Sequence, residues 1–411
     1  MGTASHNPAP DNGYKVYLGG TVAQGDGRGV QIVPPFDAEI AAAIEAAPPA
    51  DEVPMNDDLI EAVDPREEYV ACASALASGE ASAREDLRIV LTAMHGVGAA
   101  ITSRVLAEAG FSNVSLVEAQ AQPDPDFPTV PFPNPEEAGA LDMAIEQARE
   151  QGADLIIAVD PDADRCALAV PDPSSETGWS PLSGDQTGSL LGEFLASRGM
   201  RGSLANSIVS SRLLSRIAHA HGLEHHTTLT GFKWIARAPG LGFGYEEAIG
   251  FCPDPAHVRD KDGIATSVVA ASLVAALKAQ GRSVWDELER LARLHGLHVS
   301  SPLTFRVEEI EQIASGMARL RAQPPSVLAG SPVVEVSDLS QGYRGLPPTD
   351  GVLVLTEAGD RVIARPSGTE PKLKCYLEVI LPVAEGEPLP WEQARERLDA
   401  IKGAFAEIIG L

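Results

Sequence analysis

Positive charge is scarce in this chain. It carries 31 Lys and Arg against 58 Asp and Glu, a formal net charge of −27, and such a surface repels nucleic-acid phosphates and anionic membranes. No nucleic-acid or membrane partner is expected. The same field opposes phosphorylated metabolites, so a phosphate site needs a local cluster of Arg, Lys and backbone N–H groups. Cysteine is equally sparse. Cys72, Cys166, Cys252 and Cys375 stand without CxxC or CxH spacing, which disfavours a disulfide framework and a zinc site and fits a reducing cytoplasm. Long apolar runs are missing as well. Ile264 to Leu277, the longest apolar helical stretch, has 14 residues between Asp262 and Lys278, short of a membrane span. The N-terminal MGTASHNPAPDNGYK has neither the basic start nor the apolar centre of a signal peptide.

What is present is globular. Hydrophobic residues make up 44% of 411 residues and charged residues 22%, and at about 150 residues per domain one core is too few. The opening 46 residues hold a polar loop, short strands around Tyr14 to Leu18 and Val30 to Val33, and a helix near Asp37 to Ala46, too little to bury a core alone. From about residue 87 strand and helix alternate, as in a doubly wound parallel sheet: Leu87 to Thr92, a helix from Ala99, Val114 to Glu118, then Asp154 to Asp160. The alternation resumes with a helix from about Asp185, strands at Ser207 to Ser211 and His226 to Thr230, and helices from Gly263 and Val284. After Ser300 a hairpin turning at Glu357 to Asp360, a strand at Lys374 to Ile380 and a final helix suggest a smaller α+β domain. The fold class is therefore α/β, successive α/β domains with mixed or mostly parallel sheets plus a smaller C-terminal α+β domain.

Four motifs carry chemistry. Asp160, Asp162 and Asp164, in the run DPDADR, follow the apolar strand Leu155 to Val159 directly, and three hard oxygen donors in one loop suit Mg²⁺ or Ca²⁺. An EF-hand is excluded, because its sixth and twelfth positions here are Arg165 and Pro171. Ser5, with His6 beside it in TASHNP, is a candidate nucleophile or phosphate carrier. Lys15 is a candidate proton acceptor if neighbouring cations lower its pKa. Arg365, Ser367, Gly368, Thr369 and Lys372, in RPSGTEPK, combine cations, hydroxyls and an exposed backbone N–H, and form the best anion cradle in so acidic a chain. It lacks the Walker pattern, so nucleotide binding is not implied. Thr230, Gly231 and Lys233 end a strand, and Glu246 and Glu247 follow, carboxylates suited to vicinal hydroxyls of a sugar. His95, in TAMHGVG, is a loop histidine with a possible substrate role. A phosphatase with Asp160 as nucleophile is disfavoured, because Asp162 is followed by Ala163 and Asp164 rather than Thr or Val.

Taken in this order, TASHNP, DPDADR, GFK with GYEEAIG, and RPSGTEPK resemble the α-D-phosphohexomutase superfamily of phosphoglucomutases and phosphomannomutases. GYEEAIGF and the following Arg259-Asp260-Lys261-Asp262-Gly263 are similar to the branch with phosphopentomutases and related phosphoglucomutases. The resemblance implies four domains: residues 1–46, a remnant of the first with the phosphoserine loop; 47–175 with the metal loop; 176–298 with the sugar loops; and 299–411 with the phosphate loop. It implies Ser5 as phosphoserine and metal ligand beside Asp160, Asp162 and Asp164, one Mg²⁺ per active site, Lys15 as general base, and His6 and Arg165 in catalysis. It also implies a sugar monophosphate substrate, a sugar bisphosphate activator, and a monomer or homodimer. The expected reaction moves a phosphoryl group between C1 and C6 of a hexose, or C1 and C5 of a pentose, through a phosphoserine and a bisphosphate intermediate. Two departures bear on this. Ala248 stands where many hexomutases have serine, which leaves glucose, mannose, ribose and deoxyribose phosphates open. Only four residues precede Ser5, so the expectation is a weakly active or inactive chain, with a catalytically impaired sugar-phosphate-binding fragment as the alternative.

Overall fold

Ile, Val, Leu and Ala run without polar alternation through Arg88–Thr92 and Leu155–Val159, the pattern of strands covered on both faces, and apart from Arg88 every residue of both is buried. The computed structural model describes residues 2–307, 309–367 and 371–410. Its strands in chain order are β1 (Arg88–Thr92), β2 (Asn113–Leu116), β3 (Leu155–Val159), β4 (Cys166–Pro171), β5 (Trp179–Pro181), β6 (Ser203–Ser207), β7 (His225–Thr228), β8 (Leu241–Glu246), β9 (Gly250–Cys252), β10 (Leu297–Arg306), β11 (Val327–Leu328), β12 (Ser331–Asp338), β13 (Val352–Thr356), β14 (Arg361–Pro366) and β15 (Lys372–Leu381). The chain divides into two compact units. The first comprises Met1–Thr187, Arg201–Ser203 and Phe232–Arg282; the second comprises Gly188–Met200, Leu204–Gly231 and Ser283–Leu411.

In the first unit a mixed sheet runs β2-β1-β3-β4-β5. β1 is parallel to β2 and β3, but β4 and β5 are antiparallel additions. The expected parallel alternation therefore stops at β3. Val159 pairs with Cys166, so Asp160 to Arg165 is a tight connection between antiparallel neighbours and not a strand-to-helix loop. The helix Gly263–Ala279 is apolar on all sides, with 13 of its 17 residues buried, as a core helix must be. It packs on β3, β4 and β9 and on the helix Ala99–Glu108. The Asp262 carboxylate caps it by accepting from Ala265 N at 2.8 Å. Among the described residues no single helix is long and apolar enough to cross a membrane.

The expected strands at Tyr14 to Leu18 and Val30 to Val33 are reduced to isolated bridges, Gly2 with Tyr14 and Tyr17 with Gln31. The two segments do meet, through Leu18 N to Val30 O and Ile32 N to Val16 O, both at 3.0 Å. Only Leu18 and Val30 between them are buried, too little apolar surface to hold a sheet. The helix Phe36–Glu45 forms as expected and buries no residue.

In the second unit β6 and β7 form a parallel pair. The expected strand at Ser207 to Ser211 ends where it was to begin: after Ser207 the chain turns, with Ser210 N donating to Ser207 O at 3.0 Å. The reason lies on β14. The Arg361 guanidinium donates to the carbonyls of Ile208 at 2.9 Å and Ser210 at 2.6 Å, taking backbone acceptors that a strand would use. The C-terminal sheet is antiparallel, in the order β10-β15-β14-β13-β12-β11. The helices Ile310–Ala322 and Trp391–Ile409 cover it with Ile313, Met317, Leu398, Ile401 and Phe405.

Glu378 on β15 anchors this unit. It is 1% exposed and accepts from Arg212 Nε at 2.6 Å, Arg212 N at 2.8 Å and Ser211 Oγ at 2.8 Å, with Arg361 Nη2 at 3.3 Å. Burial pushes its pKa up, but Arg361, His298 and Arg212 outweigh that and hold the carboxyl well below the usual range. Glu378→Ala leaves two guanidiniums without their shared carboxylate and is expected to cost about 3–5 kcal/mol in urea unfolding at pH 7. A carboxyl with a depressed folded pKa stabilises fully above its unfolded value of 4.5 and loses that contribution as pH falls. The gap between wild type and Glu378→Ala is thus expected to narrow below about pH 4.5; a gap that stays constant with pH would refute the assignment.

Candidate active site and metal centre

Six residues join two antiparallel strands at Asp160 to Arg165, and three of them are aspartates. Ala163 takes a left-handed φ of 58° to make the turn, with its N–H on Asp160 O at 2.8 Å; for a non-glycine residue that conformation costs about 1 kcal/mol or more. Gly263, the first residue of the core helix, touches the turn from one side. A Cβ there would lie 2.3 Å from Arg165 O and 2.8 Å from Ala163 O. One carboxylate oxygen from each of Asp160, Asp162 and Asp164 lies within 4.8 Å of the others.

Such crowding shows in the ionisation. Asp160, fully buried, has its pKa pushed well up by burial and then by the Asp164 and Asp162 charges. Asp162 moves the other way. Burial raises it, but Lys15 and hydrogen bonds from its neighbours, Thr3 among them, outweigh the penalty. Lys15 Nζ lies 2.5 Å from Asp164 Oδ2 and 3.3 Å from Asp162 Oδ2. Lys261 Nζ lies 3.0 Å from the same Asp164 oxygen and 3.5 Å from Asp260 Oδ1. Arg165 donates its backbone N–H to Asp160 Oδ1 at 2.9 Å and aims its guanidinium at Glu246, 4.0 Å away, and at Ala248 O, 3.2 Å away.

The Thr3 to Pro8 loop reaches this cluster from the far end of the sequence. Thr3 Oγ1 donates to Asp162 Oδ2 at 2.7 Å and accepts from Ser5 N at 2.8 Å. Ser5, at φ 51°, places Oγ 3.1 Å from Asp160 Oδ2 and 3.1 Å from His6 Nδ1. The structure thus brings together Ser5, His6, Lys15, Asp160, Asp162, Asp164, Arg165 and Glu246, all in the first unit. Glu247 and Lys233 belong to the same unit; Lys233 sits on the helical turn Phe232–Ile235. Thr230 and Gly231 belong to the second unit, as do Arg365, Ser367 and Lys372, where Ser367 N donates to Lys372 O at 2.8 Å. Gly368 and Thr369 lie outside the described residues.

Two of the expected residues have surroundings that the sequence does not show. His95 is 5% exposed, and its Nε2 is hydrogen-bonded to Thr129 Oγ1 at 2.8 Å. Lys15 has the cationic neighbour that would make it a base, yet its net shift is upward. Burial and Lys261 pull it down, and Asp164 and Asp162 outweigh them. Lys261 itself was not singled out for the site. Nothing in a run such as Asp260-Lys261-Asp262 tells which carboxylate the lysine will find, and Lys261 turns to Asp164, remote in sequence.

A hard divalent cation fits the cluster. The converging donors are all oxygen, the set Mg²⁺ takes, and Asp162 Oδ1 and Asp164 Oδ1 are buried without a hydrogen-bond partner among the described residues. Asp160→Asn is expected to raise the thermal midpoint in EDTA by ~2–4 °C, the equivalent of about 1 kcal/mol of relieved repulsion in a unit of this size. The same variant should lose the stabilisation that Mn²⁺ confers on wild type. In wild type without divalent cation, a carboxyl whose folded pKa is raised above 3.8 makes stability fall as pH rises through that window. Differential scanning calorimetry tests all three; a lower midpoint for Asp160→Asn in EDTA would contradict the crowding.

Family models describing phosphoglucomutase/phosphomannomutase domains match three stretches: alpha/beta/alpha domain II at residues 67–174, alpha/beta/alpha domain III at 183–294 and the C-terminal domain at 305–387. A probable phosphomannomutase of Haemophilus influenzae is 45% identical over 386 residues, covering 92% of this chain and 76% of that protein. The mouse phosphopentomutase is 32% identical over 453 residues, covering 99% and 70%. A crystal structure from Thermus thermophilus, assigned as a phosphomannomutase, superposes with a TM-score of 0.69 at 25% identity, covering 98% of this chain and 77% of that one.

Proposed function

Because this chain belongs to the phosphoglucomutase/phosphomannomutase family of the α-D-phosphohexomutase superfamily, whose members are intramolecular phosphotransferases on sugar phosphates, we propose that Ser5 carries the phosphoryl group it exchanges. The observation that carries this reading is the 3.1 Å approach of Ser5 Oγ to Asp160 Oδ2 across 155 residues of sequence. A hydroxyl placed against a carboxylate cluster of this charge is set to hold a phosphoryl group only if cations gather there too, and Lys15, Lys261 and Arg165 do so.

In the reaction proposed, a free hydroxyl of a sugar monophosphate attacks the phosphorus on Ser5. The Ser5 Oγ–P bond breaks as the new sugar O–P bond forms, giving a bisphosphate. The bisphosphate then presents its other phosphate to Ser5, and the reverse transfer releases the isomer, C1 to C6 for a hexose or C1 to C5 for a pentose. Asp160, Asp162, Asp164 and Ser5 would hold Mg²⁺, which when bound supplies Lewis-acid stabilisation of the phosphoryl oxygens. Arg165 and Lys261 offset the charge that develops on the transferring group. His6 Nδ1, 3.1 Å from Ser5 Oγ, hydrogen-bonds the oxygen that leaves. In this reading Glu246 and Glu247 accept from sugar hydroxyls and Lys233 donates to a sugar oxygen. The connection between β14 and β15, with Arg365, Ser367 and Lys372, is the element for the non-reacting phosphate.

Lys15 as acceptor of the sugar hydroxyl's proton requires a neutral Nζ, and its two carboxylate partners hold it protonated in the arrangement described. Charge and proton acceptance are separable by Lys15→Arg, which keeps the cation and cannot be deprotonated. Turnover of glucose, mannose and ribose 1-phosphates with a trace of the matching bisphosphate, and mass spectrometry of the Ser5 peptide, test the whole reading. Ser5→Ala is expected to lose turnover at least ~10³-fold and Lys15→Arg at least ~10²-fold. Ser5 unphosphorylated and Ser5→Ala unimpaired would overturn phosphoryl transfer through Ser5. Full activity of Lys15→Arg would leave Lys15 as a charge and not a base.

A further inference from the structure

The DPDADR connection is also held by the segment Ala93 to Gly98 after β1. Val97 N donates to Pro161 O at 2.9 Å, the carbonyl between Asp160 and Asp162. A Cβ on Gly96 would lie 2.3 Å from Pro161 Cα, and one on Gly98 would lie 2.8 Å from Ala163 Cβ and 2.9 Å from Val159 Cγ2. At Gly96 backbone therefore lies directly on the backbone of Pro161, and at Gly98 it lies against the Ala163 and Val159 side chains. Gly263 meets the turn's backbone at Arg165 and Ala163. Small side chains of Ala93, Ala99, Ala121, Val159 and Ala163 fill the space behind.

Reaching that position forces Met94 and His95 into left-handed φ values of 49° and 62°, an arrangement that two consecutive non-glycine residues adopt only when their surroundings enforce it. Gln120 and Thr129 supply the enforcement. Gln120, 1% exposed, accepts from His95 N at 3.0 Å with its backbone carbonyl and from Thr92 Oγ1 at 2.6 Å with its side chain. Thr92 Oγ1 in turn accepts from Met94 N at 3.1 Å. Thr129 Oγ1 accepts from Gln120 Nε2 at 2.9 Å and meets His95 Nε2 at 2.8 Å, while His95 O accepts from Asp124 N at 3.0 Å.

We propose that the His95–Gly98 strip, locked by Gln120 and Thr129, is a positioning brace that sets the spacing of Asp160 and Asp162 for a divalent cation. The proposal rests on the reading of that cluster as a metal centre. His95, Gln120 and Thr129 are then positioning residues that touch neither metal nor sugar, and their chemistry acts through Pro161. A brace predicts lower metal affinity with the fold intact, because ligands held loosely bind an octahedral cation poorly.

Mn²⁺ binding to the full chain, followed by electron paramagnetic resonance of the free ion, reads affinity directly. Thr129 is an exposed residue, so Thr129→Val removes the hydrogen bonds at nearly constant volume with little risk to folding. It is expected to raise the Mn²⁺ Kd about 10-fold, and Thr129→Ser to restore it to within about 2-fold. Gly96→Ala, which pushes on Pro161 directly, should raise it ~100-fold or abolish binding. Any mutase turnover of Thr129→Val should recover at saturating Mg²⁺, a split that general destabilisation would not produce. Wild-type affinity in Thr129→Val, or equal weakening in Thr129→Val and Thr129→Ser, overturns the brace and leaves the metal centre standing. Failure of wild type to bind Mn²⁺ overturns the metal centre, and the brace with it.

Discussion

Three carboxylates on a six-residue connection between antiparallel strands repel one another, and most of what surrounds them in the first unit answers that repulsion. Lys15 arrives from the N-terminal segment and Lys261 from the approach to the core helix, both on Asp164, while Arg165 turns its backbone N–H to Asp160. Both Asp160 oxygens accept a hydrogen bond, yet none of these cations reaches them at close range, and burial together with the Asp164 and Asp162 charges pushes its pKa well up. A bound cation would relieve that imbalance, and a serine hydroxyl sits against the cluster without an ion pair of its own.

The second unit handles buried charge in the opposite sense. There one carboxylate, Glu378, serves Arg212 and Arg361, with His298 Nδ1 3.2 Å away, and other donors of the two guanidiniums go to backbone carbonyls. Here the cations outnumber the anion, and their hydrogen bonds tie the turn after β6 to β14 and β15. Carboxylates crowded together in one unit and a single carboxylate shared between guanidiniums in the other are opposite arrangements of buried charge.

Rigidity in the first unit comes from an absence of side chains as much as from contacts. Gly96 and Gly263 let backbone approach the backbone of the aspartate turn, Gly98 sits against the Ala163 and Val159 side chains, and the packed helix Gly263–Ala279 is apolar all round. Left-handed residues at Ser5, Met94, His95 and Ala163 concentrate in this one region. Such conformations survive where packing and hydrogen bonds over-determine them, and a metal or phosphoryl site benefits from that stiffness because its ligands need not reorganise.

Much of this was legible in the residues. Unbroken apolar runs ending in aspartate placed β3 and the triple-aspartate turn, because burial on both faces and the abrupt change of polarity are local properties of the chain. The core helix, the hairpin turning at Glu357 to Asp360 and the family resemblance were equally legible, each carried by a contiguous pattern. Other features were not. The strand expected at Ser207 to Ser211 lost its acceptors to Arg361, more than 150 residues away. His95 reads as a loop histidine, and only the fold brings Thr129 and Gln120 to it; Lys15 reads as an exposed lysine or a base, and only the fold sets two carboxylates beside it. By itself, then, the sequence determined which residues carry charge, where chains extend or coil, and which family they serve, since those depend on neighbours along the chain. Only the tertiary structure decided which charge meets which and in what protonation state, because electrostatic energy depends on distance and burial, and neither is a function of sequence separation.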